Sequence, residues 1–288
     1  MTANLDAATE FIHSSARLLE RHRFAHLFQG ADAEPVLRAL RAYRNPDGGF
    51  GHALEPDVRD PASQPIPTQS ALEILHETGA HDDPMIAPAA EFLAGIARPD
   101  GGIPFALPSA LEHPHAPHIR GAADASSIIQ TSANAAALYT LGVDHPWLDR
   151  ASEFCFDQIA RLDPANDPGV GYSVRFSIWF LDAVPDGERA ESALDSLAGL
   201  QSSGMIHEPG ATGDIQTPLD ISPWPGSRSR RLFDADLIER HLDALAGAQQ
   251  DDGGWTFGWE AWNPAGAHEW RGIMTVHALK VLRANGRL

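Results

Sequence analysis

The chain has 288 residues, 43% of them hydrophobic and 21% charged, which excludes wholesale disorder and leaves ample material for a core. Its 39 acidic residues against 21 Lys and Arg give a net charge of -18, so neither nucleic acid nor an anionic membrane surface is expected as a partner. The single cysteine, Cys155, excludes an internal disulfide and any multi-cysteine metal site.

In chain order, helical spacing of apolar residues predicts helices near 5–28, 33–44, 68–78, 83–97, 127–141, 146–161, 172–183, 186–201, 213–221, 234–249 and 268–284. Prolines after Asp83 and His145 mark first turns, while Gly79 and Gly142 follow the last apolar residues of their segments. SVRFSIWFL (173–181) has no pairing partner and is read as helix. No apolar stretch approaches the roughly 20 residues of a membrane span. The acidic N-terminus lacks the pattern of a signal peptide, so a cytoplasmic protein is expected.

Between these segments one phrase recurs: RNPDGGFG from Arg44, RPDGGIPF from Arg98 and QQDDGGWTFGW from Gln249, with weaker echoes at 167–173 and 201–210. Asp with paired glycines supplies the positive-φ positions of a sharp reversal, and the following aromatic or Ile pins the turn to a core. Helices that end at such a turn alternate with helices that begin after one. An open solenoid with polar caps satisfies this alternation, as does a ring of helical hairpins closed on itself.

QQDDGGW (Gln249 to Trp255) fits the Q-x-x-x-G-x-W repeat of triterpene cyclases such as squalene–hopene cyclase. NPDGGFGH (Asn45 to His52) resembles the turns of protein prenyltransferase β-subunits. The chain therefore resembles the α/α-toroid superfamily, and the resemblance implies an all-α fold over residues 1–288 as one toroid. It also implies a central cavity for a partly apolar small molecule, isoprenoid or anionic, handled by acid-catalysed cyclisation or isomerisation. The catalytic motifs of those families are absent. There is no D-x-D-D; DADL (Asp234 to Leu237) carries two of its carboxylates at the start of a predicted outer helix, and HDDPMI (His81 to Ile86) lacks the third carboxylate of D-D-x-x-D. Cys155 has no aspartate two positions before it, as the prenyltransferase zinc set requires, and reads as a buried structural thiol.

Topology narrows the search for chemistry. The connections at 45–67, 98–126, 202–212 with 222–233, and 250–267 are long, and those near 29–32, 79–82, 142–145 and 184–185 are short. Long connections in a compact domain are typically functional, so one end of the assembly should carry the site. In the first, His52 and Gln64 flank Glu55 and Asp57, which suit either an acid–base pair or a solvated acidic turn with Asp57 as a local cap. In the third stand His207, Asp214 and Asp220, then Trp224, Arg228 and Arg231, whose basic cluster fits either an anion or pairing with the excess carboxylates. The last holds Trp259, Glu260, Trp262, His268, Glu269 and Arg271 around four of the seven tryptophans, suited to a cation, an apolar molecule or a sugar ring.

The carboxylic acid is sought among Glu55, Asp57, Asp214, Asp220 and Glu269. Two further readings stand beside the terpenoid-like one: a carbohydrate-active lyase or hydrolase using Glu55 or Asp57 with His52 or His207, and a non-catalytic binding module. The histidines His113, His115 and His118 are separated by prolines. The candidate His and carboxylate residues lie on irregular loops without the i, i+4 helical spacing that preorganises two ligands, so no metal or other cofactor is expected. The central wall is expected to be small and apolar, with residues such as Ser70, Ala133, Phe176 and Thr275.

Overall fold

The computed structural model describes residues 2–119, 125–164, 170–202, 205–210 and 216–288. Among them are twelve α-helices: α1 (Leu5–Ser15), α2 (Leu18–Gln29), α3 (Glu34–Arg41), α4 (Pro65–Glu77), α5 (Ile86–Gly95), α6 (Ile128–Thr140), α7 (Pro146–Ile159), α8 (Gly171–Ala183), α9 (Gly187–Ser196), α10 (Pro218–Ile221), α11 (Ala235–Gly247) and α12 (Pro264–Ala284). The described residues form no strand, only isolated bridges, so the expected all-α class holds. No helix among them is long and apolar enough to cross a membrane.

The three Asp-Gly-Gly phrases adopt one turn. Gly48, Gly101 and Gly253 sit at φ of +93°, +90° and +89°, the left-handed position that follows a type I turn in a three-residue reversal. Asp47, Asp100 and Asp252 each accept the N–H of the second glycine at 3.1 Å. Phe50, Ile103 and Trp255 then enter the core, their N–H groups donating to the hydroxyls of Thr68, Thr131 and Thr275 at 3.1, 2.9 and 2.9 Å.

Each turn is seated on a helix in the same register. A Cβ on Gly48 would lie 2.3 Å from the carbonyl oxygen of Pro88, and one on Gly101 would lie 2.4 Å from that of Arg150. In the last turn the corresponding atom, 2.1 Å away, is the carbonyl oxygen of Ala7. Four residues further along these helices, Phe92, Phe154 and Phe11 cover Gly49, Gly102 and Gly254. The last repeat thus meets α1 as the first two meet α5 and α7. Gln249 completes the joint, with its Oε1 accepting from Asn4 N (2.7 Å) and its Nε2 donating to Asn4 O (2.8 Å).

Even-numbered helices pack in succession, α4 on α6, α6 on α8 and α8 on α10, while α12 packs on α1, α2 and α11. The buried apolar cluster runs through the whole set, from Ala8 to Leu282. Charged pairs link the even helices. Arg23 of α2 clamps Glu77 of α4 at 2.9 and 2.8 Å, and Lys280 of α12 also donates to Glu77. Arg17, at the N-cap of α2, clamps Glu20 of the same helix at 2.8 and 2.9 Å. Burial pushes the Glu77 carboxyl up, but Arg23 and Lys280 outweigh it and hold it at about 2.

Two expectations change. The segment near 5–28 is not one helix, because Ala16 and Arg17 are extended (ψ 158° and 160°). The break sends α1 to the last turn and lets the Arg17 guanidinium reach Glu20 and the carbonyls of Ala53 and Leu54. The helix expected near 213–221 is, within the described residues, only the single turn Pro218–Ile221, closed by a capping box between Thr217 and Asp220. Cys155 is buried beside Ser132, and burial pushes its thiol up to about 12, as a structural cysteine requires.

Candidate functional site

The loop after Gly51 reverses through two consecutive left-handed residues, His52 (φ 56°) and Ala53 (φ 59°), a conformation uncommon outside glycine. Buried Leu54 and Val58 anchor the next stretch of the loop. The segment 57–59 then pairs with 114–116, through Arg59 N to Pro114 O (3.1 Å) and Ala116 N to Asp57 O (2.9 Å). Val58, Ala106, Ala110, Ala116 and Ile119 form a separate apolar cluster on which Trp262 packs. Three connections far apart in sequence therefore converge over one end of the helices.

At that end Asp57 is 8% exposed. Its Oδ1 accepts two indole N–H groups, from Trp262 at 3.0 Å and Trp270 at 3.1 Å. Its backbone N–H donates to Glu55 Oε2 at 2.9 Å. Burial, with the Asp57 carboxylate beside it, pushes Glu55 up to about 8, against the opposing pull of that N–H and of Arg17. The direction of that shift favours the protonated form of Glu55, held next to the Asp57 side chain. Glu269 stands with them, paired to Arg59 at 3.0 Å (Nη1 to Oε1) and 2.9 Å (Nη2 to Oε2). Trp259 stacks on Phe257 (4.6 Å) and meets Trp270 edge-on (5.4 Å).

Other candidates are committed to the framework. Gln64 is fully buried, with its Nε2 donating to Asp60 (2.7 Å) and Ser109 (2.9 Å) and its Oε1 accepting from Leu107 N (2.7 Å). Arg271 is spent on Asp252 (2.7 Å twice), bracing the last turn where Ser63 and Ser126 brace Asp47 and Asp100. His52 is exposed and meets Asn45 Oδ1 at 3.0 Å, while Glu260 and His268 are exposed. His207 N donates to Gln216 O at 3.3 Å, and among the described residues no contact joins His207 to the Glu55 cluster. Asp214 lies outside the described residues.

The basic cluster belongs to the opposite end. Because α10 is one turn long, 222–233 leads from it back to α11 past the C-termini of α8 and α12. Arg228 caps α8 through the carbonyls of Leu181 (2.7 Å), Asp182 (3.3 Å) and Val184 (3.1 Å). Arg230 donates to Ser222 O and Asn285, and Arg231 pairs with Glu191 and Asp195 on α9. Trp224 lies under the Lys280 ammonium, 5.3 Å from ring to nitrogen. Pairing with the excess carboxylates and helix capping account for the arginines.

The interior is charged rather than small and apolar. Partly accessible residues recur at helical spacing on α4 (Ser70, Glu73, Glu77), α8 (Tyr172, Arg175, Phe176, Trp179) and α12 (Ile273, His277, Lys280). Burial pushes Glu73 up, opposed by the Gln69 amide (2.8 Å) and by Lys280 and Arg175. Burial also pushes His277 down to about 4, helped by Lys280 and Arg175 and opposed by Asp220 and Glu77. The stripes therefore face one another. Glu73 and His277 both keep part of their accessible surface on these inward stripes. Of the expected wall residues, Ser70 and Phe176 hold such positions. Ala133 and Thr275 are buried, the latter spent on the turn of Trp255.

Asp220 reaches this interior, its Oδ1 3.9 Å from Arg175 Nη1. Glu73, Arg175 and His277 escaped sequence reasoning, though Gln69, Glu73 and Glu77 at i, i+4 spacing on a buried helix were the available signal. Among the described residues, no group of three or more His, Cys, Asp or Glu side chains is placed to hold a metal ion. The loop histidines do not converge. His113 lies 3.6 Å from Asp60, His115 meets His113 O, and His118 packs edge-on to Phe105.

No protein-family model matches the chain, and no curated protein matches it in sequence. Among solved structures, a protein from Actinoplanes is similar over 93% of this chain and 89% of its own, with a TM-score of 0.58 and 18% identity. A likeness at that identity bears on the fold alone, and it spans nearly the whole helical assembly.

Proposed function

We propose that the twelve helices form six pairs closed into an α/α toroid, and that the end bearing Glu55, Asp57 and Glu269 is the mouth of an acid–base active site for a small polar molecule. The seating of the last turn on α1, in the register used by α5 and α7, supports the closed ring. A single observation carries the chemistry: Asp57, locked by two indole N–H groups, sits beside a half-buried Glu55 that accepts its backbone N–H. Glu55 acts as general acid, with its proton affinity raised by burial and by the carboxylate next to it. Asp57 and the Arg59–Glu269 pair fix the charge around the proton.

Charged groups along the interior support a hydroxylated substrate over an isoprenoid, since an alkyl chain would desolvate the Arg175 guanidinium, whose Nε has no partner, and offer it no acceptor. The carbohydrate-active reading is therefore preferred to the terpenoid-like one, with tryptophans as ring platforms. Purified protein is assayed against a panel of oligosaccharides and, separately, isoprenyl diphosphates. The expected outcome is sugar turnover that declines above about pH 8 and falls at least 100-fold in Glu55→Gln. Turnover of isoprenoids alone, or a Glu55→Gln variant as active as the parent, overturns this reading.

A further inference from the structure

Among the described residues, Arg175 is the interior cation that lacks a carboxylate clamp. Arg17 and Arg23 each hold a carboxylate with two hydrogen bonds, and Lys280 donates to Glu77. No hydrogen bond joins Arg175 to any described residue, and its Nε is buried without a partner. The nearest carboxylate oxygen, Asp220 Oδ1, is 3.9 Å from Nη1, beyond hydrogen-bond reach. The other oxygen of Asp220 is already taken by Thr217, from N at 2.9 Å and Oγ1 at 2.6 Å.

Arg175 is nevertheless well held. Its guanidinium lies 4.9 Å from the Trp179 ring and 5.5 Å from the Phe176 ring. Trp179 is itself fixed by its indole N–H to the carbonyls of Asp220 (3.2 Å) and Ile221 (3.1 Å). Stacking orients a planar fork of five N–H donors and leaves its edge unspent, in the arrangement that matches two oxygens of one anion. His277 and Lys280 on α12 face the same space.

We propose that Arg175 is the seat for an anionic group, a carboxylate or a phosphate, on the molecule that occupies the interior space. The inference rests on the acid–base reading of Glu55 and adds that the polar substrate is acidic. Along α12, His277 lies eight residues beyond Glu269, or about 12 Å at 1.5 Å per residue. The anion therefore anchors the substrate well inside the mouth and leaves its far portion at Glu55 and Asp57. One ligand fits both features, a sugar acid or sugar phosphate longer than a single ring.

An anion on Arg175 also changes His277. Lys280 and Arg175 both repel a proton on that ring, and a bound negative charge cancels part of the repulsion. The test titrates the full-length protein with glucuronate, glucose 6-phosphate and inorganic phosphate, with neutral glucose as control. The His277 imidazole resonances, assigned through His277→Gln, and the melting temperature are followed. The expected result is an upward-moving His277 titration and a raised melting temperature with at least one anion, and neither with glucose. Glucuronate acting alone assigns a carboxylate seat, and the phosphates acting alone assign a phosphate seat.

Arg175→Gln should weaken that binding at least tenfold, and Arg175→Lys, which keeps the charge but not the fork, should recover part of it. Arg231→Gln, on a surface ion pair, should bind as the parent does. No response to any anion, or undiminished binding in Arg175→Gln, overturns the proposal. If Arg175→Gln does not fold, the Arg175→Lys affinity and the parent's His277 shift decide it. Because binding is read without turnover, loss of the seat leaves the Glu55 chemistry standing, and failure at Glu55 leaves the seat measurable.

Discussion

Replacing Gly253 by alanine tests the joint between the last repeat and the first helix. Two costs add. The backbone at φ +89° is a conformation that a Cβ resists, at roughly 1 kcal/mol. The new methyl would also sit 2.1 Å from Ala7 O and 3.0 Å from Ala7 Cβ, so α1 must move away or the turn must open. Forcing a methyl into close packing adds about 1–3 kcal/mol. Gly142 supplies the control, since its φ is +75° and a Cβ there meets nothing within 4 Å. Gly142→Ala should therefore lose about 1 kcal/mol and Gly253→Ala about 2–4. At about 2–4 °C per kcal/mol, the second variant should melt several degrees below the first. Urea unfolding of both variants beside the parent measures the gap. Equal losses would refute the seating of the last turn on α1.

Three further outcomes are expected from the charges and caps. Glu55 binds its proton more tightly folded than unfolded, so the parent loses stability as pH rises from about 4.5 to about 8. Glu55→Gln should flatten that slope and melt higher than the parent above pH 8, as thermal scans across pH will show. Glu77 is the opposite case, its stabilisation present above about pH 4.5 and lost as pH falls toward 2. Glu77→Gln should weaken that acid limb and, by leaving Arg23 and Lys280 buried without their shared partner, destabilise the protein at pH 7 by about 3–5 kcal/mol in urea. Arg228→Ala, which uncaps α8, should cost about 1–3 kcal/mol, whereas Arg231→Ala should stay within about 0.5. Equal effects from the two would contradict the assignment of Arg228 as a cap.

Much of the framework was legible because it is written locally. A turn needing positive φ at Gly48, Gly101 and Gly253 leaves its mark within seven residues, and so does the wedge at Phe50, Ile103 or Trp255. The break at Ala16 and Arg17 was not legible, since nothing between Phe11 and Leu19 forbids a continuous helix. What breaks it is tertiary, namely the carbonyls of Ala53 and Leu54 that Arg17 reaches.

The site divides the same way. Glu55, Asp57, Glu269 and Trp262, which the structure brings to one end, drew notice because long connections draw attention to their residues. Arg271 and Arg228 drew the same attention but serve a turn and a helix end. Glu73, Arg175 and His277 were overlooked because inward charges on α4, α8 and α12 look like any other helical polar residue until the helices are set beside one another.

The joint between Asn4 and Gln249 spans 245 positions of sequence. At the roughly 5–20 residues per second of synthesis, the second partner emerges about 12–50 s after the first. Until then the face of α1 that carries Ala8, Phe11 and Ile12 lacks the turn that covers it in the finished protein. Local helix and hairpin formation is over within microseconds, so the wait belongs to the ribosome rather than to the chemistry of folding. Helix α1 is thus made well before the turn that covers it, and a nascent-chain binder would find its substrate there.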